Sequence, residues 1–229
     1  MAKHIRARID ELFQGDEPPN TDWLRTLLSS LESSWRDAEK AESHSFVALF
    51  TAWAIAAAIG AGLISGGQVA SFSFTNLRQL LIVAPPVVAF FAYRYMLFGS
   101  VSMLLWNSVS QIYKHVLPKA YDVDLDELIG VGTVFGAQRA LRPEPAERTH
   151  LWVHTWWMRA IPVGGIVGPL LAIAHITYLL WGIREWSHFW VILSALVAAV
   201  IYARGIFIVV FVGGSHLNPQ TNATRSGAA

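Results

Sequence analysis

The 229-residue chain carries 17 Lys and Arg against 16 Asp and Glu, a net charge of +1, and is 54% hydrophobic with 10 Trp. That is too apolar for an ordinary soluble domain of this size, and a balanced charge with no basic stripe offers nothing to a nucleic-acid backbone. The absence of Cys excludes disulfides, thiolate metal sites and a cysteine nucleophile.

The opening MAKHIRARIDELFQGDE has no apolar run before a cleavage site and is not expected to be a secretory signal. Ile5, Ile9, Leu12 and Phe13 are spaced for a short amphipathic helix that could lie on a membrane or cover a neighbouring subunit. Gly15 and Pro18-Pro19 break the chain, and Asn20 or Thr21 can cap a second helix. From Asp22 to His44, Leu24, Leu27, Leu28, Leu31, Trp35 and Ala38 form one apolar stripe on a charged helix. No Gly or Pro separates that helix from Phe46, so one long helix is expected to run on into the next segment.

That segment, Phe46 to Gly66, is uncharged over a length close to the ~20 residues that cross a ~30 Å hydrocarbon core. Ala54, Ala58, Gly62 and Gly66 recur every fourth residue, a small-residue ridge of the kind that lets membrane helices approach closely. A short turn over Gln68–Arg78 leads to a second span from Leu80 to Phe98, in which Pro85-Pro86 is expected to kink the helix. It ends in Ala92-Tyr93-Arg94-Tyr95, aromatic anchors around a cation.

Residues 99–159 form a second polar region. Val101, Leu104, Leu105, Val109, Ile112 and Val116 continue the helix outward, to pack on Leu24–Ala38 as a two-helix stalk. The third span is expected from Ala160 to Ile183, with Gly164, Gly168 and Ala172 as another ridge, and the fourth from His188 to Val212. The tail from Gly213 reads as disordered. The fold class is therefore all-α, a polytopic membrane protein with four spans in two hairpins (46–98 and 160–212) and cytosolic extensions at 1–45 and 99–159.

Orientation follows from the cations. Lys3, Arg6, Arg8, Arg25, Arg36 and Lys40 precede the first span, and Lys114, Lys119, Arg139, Arg142, Arg148 and Arg159 lie between the hairpins. The two short loops hold only Arg78 and Arg184. The positive-inside rule then places both termini and the central region in the cytosol, across an inner (plasma) membrane.

Several residue sets could carry chemistry. His150 and His154, one turn apart, could ligate zinc or iron, or sit in an interfacial belt with Trp152, Trp156 and Trp157. His175, inside the third span, could ligate haem, bond a neighbouring helix or line a pore. Arg94 and Arg204 near the ends of their spans can snorkel to phosphates or, in a symmetric oligomer, form charged rings at a pore mouth. Asp122-x-Asp124-x-Asp126 opens like a calcium loop but has Glu127 and Thr133 where Gly and Glu are required. The Gly130, Gly132, Gly136 run lacks the Lys-Ser/Thr of a phosphate loop.

The long charged helix, tight hairpin and helical return over Asp22–Pro118, with the Ala54/Ala58/Gly62/Gly66 ridge, resemble the SLATT-type membrane effectors of bacterial antiphage defence. The resemblance implies oligomerisation and membrane permeabilisation on a cytosolic signal; the second hairpin departs from that two-span pattern. The expected function is an oligomeric, channel-like or permeabilising effector gated by its cytosolic helices and needing no cofactor. Its partners would be the lipid bilayer, further copies of itself and a cytosolic protein or signalling ligand. Two alternatives stand beside it: a haem- or metal-binding membrane redox enzyme, and a non-conducting scaffold or sensor recruiting a cytosolic partner.

Overall fold

A computed structural model describes residues 20–64, 67–69, 72–74, 77–116, 148–183 and 186–214, together with Ile9, Glu11 and Phe13; within 65–76, 148–164 and 212–214 it describes backbone alone. The polar linker 117–147, with the acidic and glycine-rich runs, and the tail beyond 214 lie outside the described residues.

Helix α1 (Thr21–Gly60) is the single long helix that the unbroken sequence predicts. Asn20 caps it. Its Oδ1 accepts from the Asp22 amide at 2.9 Å and its carbonyl accepts from Leu24 N at 3.0 Å, meeting donors that a helix start leaves orphaned. The other end is also closed by backbone chemistry. Leu63 N donates to the Ala58 carbonyl at 2.9 Å and Gly62 N to Ile59 at 3.0 Å, with Gly62 at φ 76°, the left-handed stop that glycine adopts without a Cβ penalty. The helix thus ends at Gly60, short of the expected Gly66, because Gly62 reverses the backbone. The Arg78 guanidinium stands beside Gly62, 3.1 Å from where a Cβ would sit, and its charge suits the negative end of the helix dipole.

The turn is more structured than the sequence suggested. Strands β1 (Gly67–Val69) and β2 (Phe72–Phe74) pair antiparallel, Gly67 opposite Phe74 and Val69 opposite Phe72, as a minimal hairpin. A 3-10 segment, Leu77–Val83, leads into α2 (Ala84–Val116). Pro85 and Pro86 therefore occupy the first turn of α2 and do not kink a span, which corrects the expectation. Proline is tolerated there because first-turn amides lack intrahelical acceptors.

Helix α3 (Arg148–Trp181) begins well before the expected boundary at Ala160 and runs through it unbroken, and α4 (His188–Gly214) follows a short turn. The described fold is thus four long helices and one small hairpin. Among the described residues three helices are long and apolar enough to cross a membrane, Thr21–Gly60, Leu77–Tyr113 and His188–Phe211, and Gly165–Trp181 is a shorter apolar helix.

Contacts divide the chain into two units. The first comprises Met1–Lys40, Phe98–Trp157 and Val209–Ala229. In it the two predicted stripes meet: Trp35, Ala38, Val109 and Ile112 are buried, and Trp35 packs on Trp106 with centroids 4.9 Å apart. Tyr113 donates to Glu32 at 2.5 Å. Phe13 stacks on His115 in this unit, with centroids 4.7 Å apart.

The second unit comprises Ala41–Leu97 and Met158–Ile208. Its core holds Leu49, Ala56, Leu81, Val88, Ala92, Ile176, Leu180 and Ala198, one stripe from each helix and Leu81 from the 3-10 segment. Backbones come close at glycines. A Cβ at Gly60 would meet Leu179 Cδ1 at 2.7 Å, and one at Gly205 would meet Met96 Sδ at 2.8 Å and the Tyr93 Cα at 3.3 Å.

Candidate functional site

Prolines create the first polar demand in the second unit. The carbonyl of Ile82 would accept from residue 86 in an α-helix or residue 85 in a 3-10 helix, and both are proline. Ser194 Oγ on α4 fills the gap, donating to Ile82 O at 2.6 Å. On α3, Pro169 has no amide for the Gly165 carbonyl, and in that turn the Tyr202 hydroxyl donates to the Ile166 carbonyl. Ser194 thus supplies the donor that the prolines remove from Ile82, and Tyr202 adds a bond to the α3 carbonyl one residue past the one that Pro169 opens.

His175 lies on α3 among apolar neighbours, yet its side chain is exposed. Trp53 Nε1–H on α1 donates to its Nδ1 at 3.3 Å, the two rings meeting edge to face with centroids 6.3 Å apart. Accepting at Nδ1 leaves the neutral ring's proton on Nε2, so the free edge of His175 is a donor. Around it the same face presents Leu171, 63% exposed, and Tyr178, 76% exposed. A polar edge is therefore held, by a partner on another helix, at the surface of an otherwise apolar face.

Arg204 on α4 is exposed, and its guanidinium carbon lies 5.7 Å from the Tyr93 ring centroid. Arg94, one residue beyond Tyr93 on α2, is half-buried over Phe90 at 6.0 Å. Each arginine thus has an aromatic ring as backing, the geometry in which a guanidinium is attracted to the ring quadrupole.

The expected ridges fare differently. Ala54 is exposed and Ala58 half-buried, while α1 turns Leu49, Ala56 and Ile59 toward the core. Gly62 has left the helix, and Gly66 lies outside the described residues. A Cβ at Gly168 would meet nothing within 4 Å, so that glycine is open within this chain. The side of α3 at Gly164 lies outside the described residues, but its neighbour Gly165 does face a helix, with Tyr95 Oη 3.1 Å from a Cβ position. The close approaches are at Gly60, Gly165 and Gly205, which a search for four-residue spacing passes over. Of the three only Gly205 stands alone in an apolar run, where an isolated glycine is itself a signal of close approach.

His150 and His154 fall on α3, one turn apart, with side chains outside the described residues. Among the described residues, no three His, Cys, Asp or Glu side chains gather as a metal set. The first unit offers a shallow open hollow along one face of α1, lined by Arg25, Thr26, Ser29, Ser30, Ser33 and Ser34, with a single charge and no acid or base among its lining residues. Burial pushes the Glu39 carboxyl up, against the pull of Arg36, and burial with the Glu32 bond pushes the Tyr113 phenol, on the polar extension of α2, up to about 12.

No family model matches the chain, and no curated protein or solved structure is significantly similar to it. The functional reading rests on geometry.

Proposed function

We propose that the protein crosses the membrane four times, with both ends and the central region cytosolic, and that copies of it assemble into a channel-like or permeabilising unit. The observation that carries this reading is His175. Ionisable side chains within membrane helices almost always face a bundle interior or a water-filled cavity. In the single chain its Nε2–H edge faces outward from an apolar helix. Against lipid alone that donor would be unsatisfied, at a cost of several kcal/mol. Association that turns this face of α3 inward, onto a wet path between copies, removes the cost. The exposed Ala54 and open Gly168 leave room for another helix to approach. The likeness in layout to SLATT-type effectors adds the expectation that the helices of residues 21–45 and 99–116 receive a cytosolic signal.

The test is reconstitution. Purified protein should run as an oligomer by native mass spectrometry and release a small ionic dye from liposomes. His175→Ala should alter unitary conductance in bilayer recordings while preserving the helical content. A strictly monomeric protein, or flux identical in wild type and His175→Ala, overturns the assignment of a path along His175.

A further inference from the structure

Arg204 raises a separate question, because its charge rests on an aromatic platform. The guanidinium lies over Tyr93. Among the described residues no carboxylate pairs with it. The guanidinium carbon stands 5.7 Å from the ring centroid, and a guanidinium carries its N–H groups in its own plane, a fork that matches two oxygens of a phosphate.

The platform is fixed by backbone. Gly205, the next residue, brings α4 so close to α2 that an added Cβ would meet the Tyr93 Cα at 3.3 Å. The helix carrying the cation and the helix carrying the ring are therefore locked together at this level.

Depth gives the third argument. Arg204 lies sixteen residues beyond the start of α4 at His188, which is about 24 Å along a helix at 1.5 Å per residue. A hydrocarbon core is ~30 Å thick. A span that enters at the aromatic end of α4, where Phe189 and Trp190 are exposed, thus carries Arg204 to just beneath the opposite headgroups. There a long side chain reaches phosphate by extending along the helix.

We propose that Arg204, seated on Tyr93, is a binding site for the phosphate of an anionic phospholipid. The anionic class follows from charge, since a cation with no carboxylate paired to it among the described residues favours a headgroup of net negative charge over a zwitterionic one. The site rests on the proposed crossing of the membrane by α4, but it belongs to each single chain and does not depend on channel formation.

Thermal unfolding of the full-length protein in neutral detergent tests it, with phosphatidylglycerol, phosphatidylcholine or inorganic phosphate added. Phosphatidylglycerol should raise the melting temperature of the wild type most. Arg204→Gln should need about tenfold more of that lipid for the same rise, the effect of losing one charge-assisted hydrogen bond. Arg204→Lys, with charge but no fork, should fall between, as should Tyr93→Leu, which removes the platform. Native mass spectrometry of the wild type supplies an arm that needs no variant, and phosphatidylglycerol should be retained over phosphatidylcholine. Superimposable lipid titrations for wild type and Arg204→Gln overturn the site, as does equal retention of the two lipids. A rise reproduced by inorganic phosphate alone overturns the lipid assignment in favour of a soluble anion. A protein that binds the lipid and conducts nothing keeps this site and loses the channel.

Discussion

The two units hold their helices together by different means. In the first, large rings and long side chains meet each other, Trp35 on Trp106, Phe13 on His115, Tyr113 to Glu32. In the second, glycines let backbones close up, and hydroxyls bond directly to main-chain carbonyls, Ser194 to Ile82 and Tyr202 to Ile166. Water drives apolar side chains together, so bulky rings are an efficient way to join helices in it. Lipid gives no such drive, and association there depends on close contact and on polar groups with no other partner. The difference is what the two solvents would select, within a chain where α1 and α2 each contribute to both units.

The contrast can be broken at its strongest points first. Trp35→Ala should cost about 3–5 kcal/mol, since it empties a buried ring site in the first unit; thermal unfolding measured by circular dichroism reads it. A loss below about 1 kcal/mol would show that rings do not hold that unit. Next comes Gly205→Leu, expected to cost about 1–3 kcal/mol through overpacking against Met96 and Tyr93. Gly168→Leu should be nearly neutral for a single chain, because nothing stands within 4 Å of its Cβ position. Equal effects of the two leucines in monodisperse detergent samples would remove close packing from the account of the second unit. Among the losses, the smallest belongs to Ser194→Ala, about 0.6–2 kcal/mol for the lost interhelical bond, with only the near-neutral Gly168→Leu below it. Ser194→Thr, which keeps a hydroxyl, should recover most of it, and if both variants melt alike the bond to Ile82 contributes nothing.

Much of the helical layout was legible because lipid-length apolar runs and three-four spacing are strong signals. Asn20 as a cap, the unbroken passage from Asp22 into Phe46 and the continuation of the second apolar run to Val116 all follow from local chemistry. The end of α1 was missed because Gly62 was read as one of a series of small residues. Its left-handed turn depends on backbone bonds to Ala58 and Ile59 that spacing does not reveal. Pro85-Pro86 inside an apolar run reads as a kink, and the 3-10 entry that makes the pair a helix start leaves no mark in the spacing. At the candidate site, His175 stood out as an ionisable residue in an apolar run, whereas its partner Trp53 did not, since a tryptophan in such a run has many uses. The pairing of Arg204 with Tyr93 joins residues far apart in sequence, and only the approach of α4 to α2 at Gly205 discloses it.

The bond from Ser194 to Ile82 also bears on how the chain is made. The donor is encoded 112 positions after its acceptor, so at ordinary synthesis rates the carbonyl waits roughly 6–20 s for it. During that interval neither Pro85 nor Pro86 can serve it. The start of α2 is therefore born with a carbonyl whose partner is still to be made. It gains that partner only when α4 arrives, which makes the last helix the closing element of the unit and leaves the nascent chain incomplete at this point until then.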